Sequence, residues 1–218
     1  MQVYVGCYPG DIHLAERVAE TARRCEGGHE VRIIQRDVNG FIPSLGPDVK
    51  VSTQGWPVTC TSMFKAFVAS LRIGTMFLNL EPDAVLTRTS ALNELEDEMS
   101  RVRRKWDRIC MMGHWKTPPV TPDAPVEHLS GSSVYYVTPE FKDAVSKVLI
   151  TKPWDLDLFF GEKLQPDQGC NTDLIRCLWR RDLKPRVLRD FPRAALIHGD
   201  KQGALLRHVE QTVFHSAA

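Results

Sequence analysis

The residues able to do chemistry sit where apolar runs end. Phe77-Leu78-Asn79-Leu80 leads directly into Glu81-Pro82-Asp83. A strand that runs into acids sets carboxylates at the carboxyl edge of a sheet, where open α/β folds bind ligands. Pro82 has a fixed φ and no N–H, so it ends strand pairing and holds both acids in a turn. Hard cations such as Mg²⁺ and Mn²⁺ take carboxylate oxygens together with phosphate oxygens, and Glu81 and Asp83 meet the first of these needs. The same residues fit an acidic turn that merely ends a strand. A second apolar run, Ala195-Leu196-Ile197, delivers His198, Gly199, Asp200 and Lys201. His198 is a candidate metal ligand, Gly199 allows close backbone approach, and Lys201 is a point charge suited to a diphosphate. Alone, His198 reads as a hydrogen-bonded edge histidine; the cluster points to a ligand site.

Three other segments carry weaker signals. Trp154-Asp155-Leu156-Asp157 opens a helix. N-capping accounts for Asp155, and either acid also fits a carboxylate facing an acceptor hydroxyl. His128-Leu129-Ser130-Gly131-Ser132-Ser133 fits a simple turn or a close approach to a sugar. Arg101, Arg103, Arg104, Lys105 and Arg108 surround Trp106, and a second basic run from Arg176 through Arg180, Arg181, Lys184, Arg186 and Arg189 to Arg193 contains Trp179. Basic residues interleaved with tryptophan suit a polyanion; two solvated faces are the plainer alternative.

The elements that must position these residues follow from periodicity. Residues 3–7 form a buried strand entering the loop Pro9-Gly10-Asp11, with Asp11 placed to cap a helix over 13–24. Residues 31–35 form a second strand, so the first 36 residues read as β–loop–α–β with a parallel pairing. A long loop over 37–60 precedes a helix at 62–71 and a central strand at 75–80. An acidic helix at 90–99, a basic stretch at 101–108 and a strand at 109–112 follow. Residues 118–125 are a Pro-rich loop, 133–137 a strand, and 139–150, 154–160 and 171–179 helices. A last strand at 194–197 and a helix at 203–214 close the chain. This alternation indicates a three-layer α/β fold.

Composition sets the outer limits. With 218 residues and 43% hydrophobic content, the chain can bury the core of one α/β domain or at most two small ones. A net charge of +1 with 25% charged residues opposes a nucleic-acid field over the whole surface and leaves room for a local basic patch. No stretch approaches the ~20 apolar residues that span a bilayer. Residues 1–6 lack a basic n-region, so no signal peptide is expected and a cytoplasmic location is. The six cysteines form no CxxC pair, which argues for buried reduced thiols over zinc.

The order of these motifs resembles the GT-A glycosyltransferases over residues 3–206. The resemblance implies one domain over 1–218, built as a three-layer α/β/α sandwich with a mostly parallel central sheet. Residues up to about 110 would bind nucleotide and those from about 111 the acceptor. In that family the last Asp of an Asp-x-Asp motif coordinates a metal bridging the donor diphosphate, which implies that role for Asp83. Glu81 stands in place of the first Asp, a departure that leaves its role open between ribose and metal. The family's late metal-binding His is similar to His198, and its diphosphate-binding Lys to Lys201, at a shorter spacing. Asp155 or Asp157 would face the acceptor. The first loop would meet base and ribose, with Tyr8 stacking and Asp11 alongside, and Lys65 would reach the nucleotide from its helix. The implied cofactor is Mn²⁺ or Mg²⁺, and the implied donor a UDP-sugar. The implied activity is hexosyl or N-acetylhexosaminyl transfer to a hydroxyl of a glycan, a protein or a hydroxymethylated base in DNA, the last in a bacterial or phage-infected cell.

Two other classes remain. A nucleotidyltransferase usually carries a Gly-rich basic loop after its first strand, whereas Cys7-Tyr8-Pro9-Gly10-Asp11 has a single Gly and no Lys or Arg. A non-catalytic nucleotide-binding module is opposed by Asp83, His198 and Lys201 occurring together.

Overall fold

A computed structural model describes residues 1–7, 9–116, 128–159, 163–179 and 183–215. The chain begins with β1 (Gln2–Cys7), a 3-10 turn (Pro9–Asp11), α1 (Ile12–Arg23) and β2 (Glu30–Gln35). Next come α2 (Val58–Ser70), β3 (Met76–Leu80), β4 (Ala84–Leu86) and α3 (Ala91–Lys105). The middle of the chain forms β5 (Met111–Gly113), β6 (Trp115–Lys116), β7 (His128–Leu129), β8 (Val134–Tyr136), α4 (Pro139–Ser146) and α5 (Trp154–Phe159). It ends with β9 (Gly169–Asn171), β10 (Ile175–Cys177), α6 (Val187–Asp190), β11 (Leu196–His198), α7 (Ala204–Val209) and a π-helical turn (Glu210–Phe214).

Among the described residues six strands make the central sheet, in the order β2-β1-β3-β8-β5-β9. β2, β1 and β3 are parallel, as are β5 and β9, and only β8 opposes its neighbours. The sheet is therefore mixed but mostly parallel. Alternation along each strand feeds two cores, as a pleat requires. Val3, Val5, Leu78 and Leu80 join Ala15, Val18, Leu92 and Leu95 of α1 and α3 on one face. Tyr4 and Phe77 join Phe64, Phe67, Phe141 and Trp154 of α2, α4 and α5 on the other. The second core is aromatic: Tyr4 stacks on Phe67 at 4.4 Å and Phe77 on Tyr135 at 4.9 Å. The result is a three-layer α/β/α sandwich.

A smaller sheet, β10-β11-β4, stands beside it. β4 follows β3 after the Glu81-Pro82-Asp83 turn, and β11 pairs with it antiparallel, His198 opposite Ala84. β6 and β7 form a two-stranded ribbon that sets Lys116 opposite His128. Among the described residues no helix is long and apolar enough to cross a membrane.

Several elements differ from expectation. The segment 171–179 is not a helix but carries the end of β9 and then β10. Ile175, Arg176 and Cys177 alternate buried, half-buried, buried, which is a period of two, and Thr172 Oγ1 accepts from Leu174 N in the turn between the strands. α2 starts at Val58 rather than 62, because Thr59 and Ser62 bond back onto nearby carbonyls while Thr61 reaches Lys152 O. α4 stops at Ser146, short of 150. Asp11 does occupy the N-cap of α1, yet its side chain makes no capping hydrogen bond, because the 3-10 turn already leads into the helix. The Pro-rich loop 118–125 and Arg180 and Arg181 lie outside the described residues.

Candidate functional site

The two strand-end motifs meet through the main chain first. Ala84 N donates to Glu81 O at 3.0 Å, closing the acidic turn. Gly199 N and Asp200 N both donate to Asp83 O, at 3.2 and 3.0 Å. Gly199 has φ 117, which a side chain would strain, so glycine is what lets β11 turn onto Asp83. Asp200 then caps α7, accepting from Ala204 N at 3.1 Å and Leu206 N at 2.9 Å.

On this frame the side chains converge. His198 Nε2 lies 3.0 Å from Asp83 Oδ1 and 3.2 Å from Glu81 Oε2, and Lys201 Nζ lies 2.6 Å from Asp83 Oδ2. Burial pushes the His198 imidazolium down, but Glu81 and Asp83 more than reverse this and hold it well above the ordinary histidine range. Burial pushes Asp83 up, and His198 and Lys201 reverse that, holding its carboxyl well below the ordinary range.

Glu81, Asp83 and His198 offer ligand atoms that all lie within 4.8 Å of one another. Despite the short ion-pair distances, Asp83 Oδ2 and His198 Nε2 are both buried with no hydrogen-bond partner of proper geometry among the described residues. The ion pairs with Lys201 and Glu81 offset part of the cost of burying these atoms, and a divalent cation would supply a partner to both. Two carboxylate oxygens and one imidazole nitrogen fit a hard to borderline divalent ion that takes its remaining ligands from phosphate and water.

The cluster stands at the edge of a cavity of about 230 Å³, lined by Asp11, Asn79, Glu81, Asp83 and Lys201 and closed by Trp154, Asp155, Lys116, His128 and Trp179. Asp155 Oδ2 faces Lys116 Nζ at 3.6 Å and His128 Nε2 at 3.5 Å, so the β6–β7 ribbon presents an ammonium and an imidazole to one carboxylate. Burial pushes Lys116 down and Asp155 reverses this, keeping its ammonium above the ordinary lysine range. Trp179 lies between Lys116 Nζ at 5.4 Å and Lys201 Nζ at 5.2 Å, both over its ring. It has φ 47, a conformation that costs a non-glycine residue energy and that collects at functional sites.

Gly131 lets Trp154 form part of the cavity wall. A Cβ at Gly131 would meet Trp154 Cζ2 at 2.7 Å. The ring cannot swing away, because it stacks on Phe64 at 4.7 Å and donates through Nε1 to Tyr135 Oη at 3.2 Å. Gly131→Ala is expected to cost about 1–3 kcal/mol through overpacking, read as a lowered midpoint in calorimetry.

His114 lies against β10. Burial pushes it down to about 4, helped by Arg176 and Lys116 and opposed by Asp173. In the fold it is therefore neutral at pH 7, and its Nδ1 accepts from Cys177 N at 3.2 Å. An unfolded histidine, near 6.5, takes a proton before the folded one does, so this contribution is complete above about pH 6.5 and is lost as pH falls toward 4. Urea midpoints at about pH 7.5, 6 and 5 are expected to fall less steeply in His114→Gln than in the unsubstituted protein.

The structure brings together Asp83, Glu81, His198, Lys201, Asp11 and Asp155 around one cavity. It does not bring Asp157 or Lys65 there. Asp157 Oδ2 accepts from Leu149 N at 3.2 Å and holds the approach to α5, since two positions along a helix point in different directions. Lys65 Nζ donates to Ser146 O and Val148 O, each at 2.8 Å, and ties α2 to the end of α4. Tyr8 lies outside the described residues. Lys116 and Trp179, both in the cavity wall, have no signal in the sequence beyond a Lys after Trp115 and a Trp within a basic run.

No protein-family model matches the sequence, and no curated protein matches it. Among solved structures the chain is similar to the glycosyltransferase GlyE of Streptococcus pneumoniae, with TM-score 0.48 and 10% identity over 93% of this chain and 55% of that one. It is also similar to the galactosyltransferase LgtC in complex with donor and acceptor sugar analogs, with TM-score 0.42 and 12% identity over 91% and 86% of the two chains. A third similar structure is 4-diphosphocytidyl-2C-methyl-D-erythritol synthase, with TM-score 0.42 and 10% identity over 69% and 80%. At this level no residue role carries across from any of the three.

Proposed function

We propose that this chain transfers a glycosyl group from a nucleoside diphosphate donor, with UDP as the first choice, to a hydroxyl acceptor, and that it uses a divalent cation to do so. The observation that carries this reading is the convergence of Glu81, Asp83, His198 and Lys201 at the carboxyl edge of the sheet, on a cavity whose other wall holds Asp155. Glu81, Asp83 and His198 would hold Mn²⁺ or Mg²⁺, which when bound supplies Lewis-acid neutralisation of a leaving diphosphate. Lys201 adds a positive charge on the same side. Asp11, in the cavity lining, would face the nucleotide, and Tyr8 is the proposed stacking partner of the base. Asp155, held between Lys116 and His128, would orient the acceptor hydroxyl and, for an inverting reaction, take its proton.

Glycans or proteins are the acceptor class we favour. Arg101, Arg108, Arg176 and Arg193 would carry contacts to a polyanion, yet they pair with Glu98, Asp167 and Asp173. Hydroxymethylated DNA is a separate arm of the test. Thermal unfolding should be measured with UDP and UDP-sugars, with and without Mn²⁺, followed by mass spectrometry of glycan, protein and hydroxymethylcytosine-DNA acceptors. Manganese-dependent stabilisation by UDP is expected. No shift with any nucleoside diphosphate, with or without metal, would sink the reading, and turnover of a nucleoside triphosphate without action on UDP-sugars would replace it with nucleotidyl transfer.

A further inference from the structure

His198 has a second ring nitrogen, and what that nitrogen faces governs what the first can do. A neutral imidazole offers Nε2 to a cation only when its proton is on Nδ1, and that proton needs an acceptor behind the ring. The usual acceptor is a carboxylate, a backbone carbonyl or a water. Here the atom behind the ring is Cys177 Sγ, 3.1 Å from Nδ1.

The main chain holds Cys177 beside His198 through three contacts. Cys177 lies opposite His198 in the β10–β11 register. Leu178 N donates to His198 O at 2.9 Å. Cys177 N donates to His114 Nδ1. Both Cys177 and His198 are buried. The thiol is not part of the ligand cluster, which consists of Glu81, Asp83 and His198. It sits on the Nδ1 side of the ring while both carboxylates face Nε2.

We propose that Cys177 is the positioning residue of this centre: its sulfur accepts the Nδ1–H of His198, fixes that tautomer and aims Nε2 at the point shared with Glu81 and Asp83. This inference rests on the metal-binding reading above. A thiol orients the ring without adding another formal charge to a cluster that already holds two carboxylates and Lys201. It also leaves the ligand set free of sulfur, which keeps the centre suited to harder ions.

The test is Mn²⁺ affinity, by electron paramagnetic resonance, of the unsubstituted protein and of Cys177→Ala, Cys177→Ser and His198→Ala. It is paired with metal-free melting curves and with ¹⁵N histidine spectra of the Mg²⁺-loaded protein. Cys177→Ala is expected to weaken Mn²⁺ binding about 10- to 100-fold, the usual effect of removing such a partner. Cys177→Ser, whose hydroxyl also accepts, is expected to retain most of the affinity. The Nδ1–H resonance of His198 is expected to persist with Ser and to broaden or vanish with Ala, while the metal-free melting points of the two variants stay close together. Unchanged affinity in Cys177→Ala overturns the proposal. So does an equal loss in Ala and Ser, which would make the role one of packing. If Mn²⁺ fails to bind the unsubstituted protein, or binds His198→Ala equally well, the metal reading falls and this inference with it. Loss in His198→Ala with Cys177→Ala unaffected removes only the role given to Cys177.

Discussion

Asp83→Asn is expected to remove metal-dependent transfer while leaving the fold in place. The fold survives because the main chain, and not the side chain, joins the two motifs: Asp83 O takes the bonds from Gly199 N and Asp200 N whatever the side chain carries. The chemistry does not survive, because one carboxylate serves both partners, with Oδ1 on His198 and Oδ2 on Lys201. An amide keeps the shape and loses the charge, and it places an N–H₂ where a cation would sit. Loss of one coordinating charge should weaken Mn²⁺ by at least about a hundredfold, since outer partners alone are worth 10–100-fold. The transfer rate should fall by roughly a thousandfold, or about 4 kcal/mol of transition-state stabilisation. Asp200→Asn is the control, because Asp200 caps α7 and does not belong to the ligand cluster. Asp200 accepts one N–H on each oxygen and an amide keeps only one acceptor, so the change should cost about 1 kcal/mol of stability and leave Mn²⁺ affinity alone. Equal Mn²⁺ binding in Asp83→Asn and the unsubstituted protein would remove Asp83 from the centre.

Lys116→Met should have the largest effect on stability. Lys116 is buried, and its ammonium faces Asp155 at 3.6 Å. Removing it leaves a buried carboxylate beside the His128 imidazole. Breaking a buried pair costs about 3–5 kcal/mol, and His128 should hold the loss to about 3 kcal/mol. For a chain of this size that is about 6–12 °C in melting temperature. The double variant Lys116→Met, Asp155→Leu separates structure from chemistry. Two apolar side chains of similar volume should restore most of the stability, and transfer should remain lost because the acceptor-side carboxylate is gone. A single variant that melts as the unsubstituted protein does would show that the pair is not a buried one in solution.

The sequence made the strand-end cluster readable because its residues are local. Glu81, Asp83, His198 and Lys201 each follow an apolar run, so strand ends and chemistry coincide in a short window. Lys116 and His128 could not be read this way. They face Asp155 only because β6 and β7 pair with Lys116 opposite His128, a register set in three dimensions between residues that are distant in the chain. Length misled the reading of 171–179: β9, a turn and β10 together have the span of one helix, and the period of two is visible only across Ile175 to Cys177. β4 was missed for a related reason, since three residues after a proline turn carry too little periodicity to register. Lys65 and Asp157 are candidates by charge and by their place on the helices α2 and α5. Each satisfies backbone groups at the end of a neighbouring helix, a demand that no motif announces.

The position of β8 has a consequence for how the chain is made. β8 lies between β3 and β5 and is synthesised after both. As the chain emerges, β1, β2 and β3 can pair at once. The far edge of β3, Met76–Leu80, then waits for Val134 before it finds a partner. At about 5–20 residues per second this open interval is roughly three to ten seconds. During it a short apolar strand presents unpaired N–H and C=O groups, the situation in which nascent chains join one another edge to edge. Yield of soluble protein should therefore depend on how quickly residues 81–134 are translated, which synonymous codon changes confined to that stretch would alter without touching a single side chain.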